Sequence, residues 1–363
     1  MKPTFRVLLA SLTLTACADS AAPPAPADSD DLTLAAARSV STGVTTLPTF
    51  GGASSEALAI NDAGIVVGYA SETNSSRTTP GVIYAARWMR NAAGVWQVPE
   101  RLGAAGGRAL ALNKQGDAVG LRGGSAQLWP ATGGEVTLPE GVVATGINNA
   151  GTIVGGTVWG NTGTALVWVP DAGSESGWTS DQLPPFKGGT FALAFAINES
   201  GVIAGGAVSA DGRDQAVVWL RSVDGWSTPV PLSGAESSLA SSVAFGINAG
   251  GDVVGAYSAC LGCGFRAAFW PATGGRVDLS AFYSNDNASH AYGIEDEQRV
   301  VGRFFSRNSS PNPFLWKPGN TVLTDLGTGV ATDINNRAAT YGQEVVGFRP
   351  GSKGSVATVW RVQ

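Results

Sequence analysis

Apolar residues in this chain come in short runs of four to eight, divided by turn residues, with no helical period. The stretch from Ala194 to Trp219 shows the full unit. Small apolar residues lead to Ile197-Asn198. A Val/Ile-rich run ends at Gly205, a polar loop follows, and a second apolar run ends at Trp219. Runs this short, rich in β-branched residues, predict strands. Asn followed three residues later by Gly predicts a type I turn, with Asn accepting backbone hydrogen bonds and Gly taking positive φ. Several runs, such as Ala216-Val-Val-Trp219, are apolar on both faces, so each sheet is covered on both sides.

The unit recurs with edits. Its second glycine returns at Gly68, Gly120, Gly155, Gly205, Gly255, Gly302 and Gly347, at intervals of 35 to 52 residues. Its closing tryptophan returns at Trp88, Trp129, Trp168, Trp219, Trp270, Trp316 and Trp360. Four strands in roughly 40–50 residues is the period of a β-propeller blade. A glycine inside a strand marks close approach of another backbone. The ends are complementary. The last copy lacks its outer strand after Trp360, and an unpartnered strand, Val44 to Leu47, precedes the first copy. The expected fold is therefore an all-β, seven-bladed β-propeller of four-stranded antiparallel blades. In it the N-terminal strand completes the last blade, and the small-residue strand of each copy lies innermost.

The Ile-Asn-x-x-Gly turns, the Val-Val-Gly runs and the ending Ala268-Phe269-Trp270 resemble the HAF family of extracellular repeats, over residues 45–363. The family's His before Ala-Phe is absent here. The resemblance implies only a fold and a setting outside the cytoplasm.

The first residues sharpen the location. Lys2 and Arg6 precede a short apolar run, then Leu14-Thr-Ala-Cys17. This is a secretory signal over residues 1–16, too short to span a membrane stably. Its end resembles a bacterial lipobox, which implies a lipidated Cys17; ordinary cleavage nearby is the other reading. Residues 17–43, rich in Ala and Pro, read as a tether, and 44–363 as the propeller. Outer-membrane sorting or an extracellular place is expected.

With 50 glycines and 14% charged residues the sequence suits many tight turns and does not suit disorder. A net charge of −5 gives no reason to expect nucleic acid. Cys260 and Cys263 are expected to form a disulfide pinning a loop. His290, the single histidine, falls in a polar loop with Asn285, Asp286 and Asn287, where catalysis or calcium is the weaker reading. No catalytic, cofactor or metal motif is present. Trp159, in a loop beside Gly160, is the tryptophan expected to stack on a ligand.

Strand alternation puts the Asn turns on one face and loops of variable length on the other. Binding residues favour variable loops on a rigid scaffold. Arg122, Trp159, Arg213, Arg266 and Arg307 are the candidate ligand-binding residues, for a protein or anionic glycan. The membrane enters only through the lipid, and the chain is expected to be a monomer. The function read from these features is a binding or scaffold module without catalysis. A carbohydrate-active hydrolase or lyase is the alternative.

Overall fold

The computed structural model describes residues 43–362, apart from 74–80, 160–161, 224, 233–240, 261–262, 283–287, 306–309, 337–340 and 353. The described chain is all-β, with one 3-10 turn at Leu279–Phe282. It forms a β-propeller arrangement of small antiparallel sheets.

Within a repeat the strands pair in sequence order. In the first, Gly51–Ile60 pairs Val66–Glu72, which pairs Ile83–Trp88, which pairs Glu100–Leu102. Five four-stranded sheets stand separately. The third and fourth repeats instead share an eight-stranded sheet, which corrects the expected seven separate ones. The join is a single parallel bridge between Gly163 and Phe191. Gly163 permits it, because a Cβ there would lie 2.9 Å from the Phe191 ring.

The N-terminal strand Gly43–Thr46 pairs antiparallel with the last strand, Ser355–Val362, setting Val44 opposite Trp360. Leu47 follows it into the core at 1% exposure. It fills the place that Leu102, Leu138 and Leu183 fill in other repeats.

The repeated tryptophans are core residues, and all seven are at most 3% exposed. Several indoles bond across to the preceding outer strand. Trp88 Nε1 donates to the Pro48 carbonyl (2.7 Å), Trp168 to Pro139 (2.7 Å) and Trp219 to Pro184 (3.0 Å). The second glycines are needed for space. A Cβ on any of them would lie 1.9–2.3 Å from a carbonyl oxygen of the innermost strand, Glu56 for Gly68 and Val243 for Gly255 among them. That strand carries a bulge beside each contact, as between Ala57 and Ala59.

The Asn turns do more than reverse the chain. Asn61 Oδ1 accepts from the Ala63 and Ile65 amides, at 3.1 and 3.0 Å. Its Nδ2 donates across to the Asn113 carbonyl (3.0 Å). The same cross-bond runs from Asn148 to Asn198, Asn198 to Asn248 and Asn248 to Glu295. A second ladder lies one residue on. The Lys114 amide donates to Asn149, the Asn149 amide to Glu199, Ala249 to Asp296, Asp296 to Asn336, and Asn336 back to Asp62 of the first repeat. The sixth repeat keeps the turn with other residues. Glu295 Oε1 accepts the Arg299 amide (2.8 Å), and Gln298 takes φ 65° in place of glycine.

Candidate functional site: the central channel

The innermost strands surround a channel. Counted back from the turn Asn, the third residue of each repeat points inward: Leu58, Leu110, Thr145, Phe195, Phe245, Tyr292 and Thr332. They and the next two residues, Ile60 and Ile334 excepted, line a cavity of about 320 Å³ at the turn end. The second position back is Ala or Gly in six repeats. In the seventh it is Asp333, the one carboxylate lining the cavity. Gly293 leaves room for it, since a Cβ there would lie 2.8 Å from the Asp333 Cα. Asp333 Oδ2 accepts the Ile60 amide (2.9 Å). Burial, with Asp62 nearby, pushes the carboxyl up to about 7.

Toward the loop end lies the fifth position back. Val143, Leu193 and Val243 occupy it in the third to fifth repeats, packed with Phe191, Phe195 and Ala256. The first, second and sixth repeats place Glu56, Arg108 and His290 there. Cross-strand pairing adds Tyr69 opposite Glu56 and Arg303 opposite His290. One side of the loop-end channel is therefore apolar, and the rest carries two polar clusters.

Glu56 is 1% exposed. Burial pushes its carboxyl up to about 7, against the smaller opposing pulls of the Tyr69 and Ser355 hydroxyls and of Arg108. Neither carboxyl oxygen meets a donor in good hydrogen-bonding geometry among the described residues. The Arg108 guanidinium lies 4.3 Å over the Tyr69 ring. In the other cluster, His290 stacks parallel to Tyr292 at 5.8 Å and meets Phe265 at 5.8 Å. Burial, then the charge of Arg303, holds the imidazole well below its usual value, so it is neutral. His290 Nδ1, Tyr292 Oη and Arg303 Nε find no partner among the described residues.

No known protein family and no curated protein matches this sequence. Among solved structures, the chain is similar to the BP39L lectin from Burkholderia pseudomallei at 13% identity, with a TM-score of 0.48, over 90% of this chain and 97% of that one. It is similar to TolB from Acinetobacter baumannii at 12% identity, with a TM-score of 0.45, over 71% of this chain and 62% of TolB, less than two thirds of its length. An ulvan lyase of polysaccharide lyase family PL25 is similar at 13% identity, with a TM-score of 0.44, over 87% of this chain and 96% of that one.

The arginines expected to hold an anionic ligand are engaged. Arg122 Nε pairs with Glu135 at 2.6 Å, Arg213 with Asp211, and Arg266 with Asp278 at 3.6 Å. Each carboxylate sits within a hairpin's reach of its arginine, so these three guanidinium groups already face a carboxylate. Trp159 ends the strand Ile153–Trp159 opposite Thr162, because the β-branched run before it carries the strand on. His290 likewise lies in the innermost strand Ser289–Ile294 and not in the loop before it. Cys260 and Cys263 form a disulfide, with Cα atoms 5.2 Å apart. Arg307, Cys17 and the Asn285–Asn287 stretch lie outside the described residues. Among the described residues no cluster of side chains suits a metal ion, and no helix is long and apolar enough to cross a membrane.

The two clusters could have been found in the sequence. Aligning the repeats on their Asn shows Glu56, Arg108 and His290 in a column that is otherwise Val or Leu.

Proposed function

We propose that this chain is a binding module of the bacterial envelope, related to the HAF repeats and held by a lipid on Cys17. It takes a glycan at the loop end of its channel, without catalysis. We read its ring as seven blades closed by the N-terminal strand. The pairing of Gly43–Thr46 with Ser355–Val362 supports closure, and the single bridge between the third and fourth repeats supports counting them as two blades.

The loop-end clusters carry the binding reading. Buried polar groups without partners destabilise a fold by roughly 1–3 kcal/mol each and concentrate at functional sites. Here His290, Tyr292 and Arg303 hold atoms without a partner among the described residues, beside aromatic rings. A sugar offers hydroxyls that both donate and accept, and a C–H face that packs on aromatic rings. Screening the mature chain on an array of neutral and acidic oligosaccharides should give binding. Arg303→Met should weaken it at least tenfold, while Arg122→Ala and Arg213→Ala should leave it within twofold. Binding that survives Arg303→Met together with His290→Gln rejects the site. For the anchor, Cys17→Ala should move the protein from the membrane fraction to the soluble fraction; retention on the membrane rejects the lipid.

The second reading is a carbohydrate-active enzyme. Glu56 favours it, because a carboxyl near 7 can exchange protons at neutral pH. Release of shorter products from a bound oligosaccharide, lost in Glu56→Gln, would replace the first reading with this one.

A further inference from the structure

We propose that the turn end of the channel is a second binding site, for a small organic cation with an apolar body. The site is the cavity of about 320 Å³ described above, at the low end of the range for small-molecule pockets. Leu58, Leu110, Ile147 and Ile197 give it apolar walls, and Phe195, Phe245 and Tyr292 line it with aromatic rings. Aliphatic walls accept the body of such a ligand, and aromatic faces attract its charge. Asp333 supplies the counter-charge. No cationic side chain forms an ion pair with it among the described residues, and Asp62, another acid, is the charged group that acts on it.

A purely structural Asp333 would be needed to tie the last repeat to the first. That seam is already tied by Thr332 Oγ1 to the Ala57 carbonyl (2.9 Å) and by the Asn336 amide to Asp62 (3.0 Å). An Asn side chain could accept the Ile60 amide without burying a charge. The other six repeats fill this position with Ala or Gly, so the carboxylate is an addition to the scaffold. A half-buried carboxylate with no cation beside it is held at some cost, and a bound ammonium group reduces that cost. The cavity adjoins the proposed glycan seat at Tyr292, but this reading turns on Asp333 and the glycan reading on Arg303 and His290, so the two fail separately.

The test is titration calorimetry of the mature chain at pH 8, where Asp333 is mostly ionised. The probes are benzylammonium and benzyl alcohol, alike in shape and unlike in charge. Wild-type protein should bind the ammonium at least tenfold more tightly than the alcohol. Asp333→Asn should abolish that preference and leave alcohol binding within twofold. Asp333→Ala, which restores the residue of other repeats, should do the same and covers the case in which the Asn variant does not fold. Equal affinity of the two probes for the wild type, no binding of either, or a preference kept in a folded variant would each overturn the proposal.

Discussion

At the scale of single residues, three ionisable groups, Glu56 buried and Asp333 and His290 half-buried, link the channel to pH. Glu56 and Asp333 have folded values of about 7, above their ordinary 4.5 and 3.8. The folded state then holds protons that the unfolded state has already lost, so stability falls as pH rises from about 4 to about 7. For Glu56 the fall amounts to about 3 kcal/mol, at about 1.4 kcal/mol per unit. His290 acts with the opposite sign. Its value is depressed, so the unfolded state binds its proton first, and stability rises with pH up through the ordinary 6.5. Urea midpoints measured between pH 4.5 and pH 8 should therefore decline overall. Glu56→Gln should flatten the decline, and His290→Gln should steepen it. An unchanged slope in Glu56→Gln would mean that Glu56 is ionised throughout.

At the scale of elements, the strand Gly43–Thr46 is the one whose partner is farthest away in sequence. It covers the open edge of Ser355–Val362 and brings Leu47 into the core shared by the first and last repeats. Deleting residues 43–47 exposes a strand edge and removes a buried Leu, a change worth roughly 2–5 kcal/mol. Calorimetry should show the single transition move down by roughly 5–10 °C; an unmoved transition means the strand is not part of the cooperative unit. This pairing was legible in the sequence because the deficit after Trp360 matches the surplus at Val44–Leu47. The turns and the buried tryptophans were legible for the same reason, since repetition makes local chemistry stand out. The candidate site was not. The ion-pair partners of Arg122 and Arg266, Glu135 and Asp278, are fixed by strand register, which composition does not carry. Glu56 was passed over, and His290 was read as a loop residue rather than a channel residue, because repetition draws attention to what the copies share, and the channel's chemistry lies where they differ.

At the scale of the whole molecule, the two turn ladders bear on how the repeats can diverge. Lys114 and Ala249 offer no acceptor to the second ladder, and Glu295 offers no amide to the first. Asn113 turns its Nδ2 to Asp117 instead, and Asn335 Nδ2 finds no partner among the described residues. Yet each seam that lacks one bond has the other. Asn61 and Asn198 bridge the seams that Lys114 and Ala249 leave open, and the bonds from Lys114, Asp296 and Asn336 bridge those where the Asn cross-bond is missing. Such duplication tolerates mutational drift. Where a seam carries both bonds, either can be lost while the other still joins the two turns. The ragged spelling of the repeat thus leaves at least one of the two turn bonds at every seam.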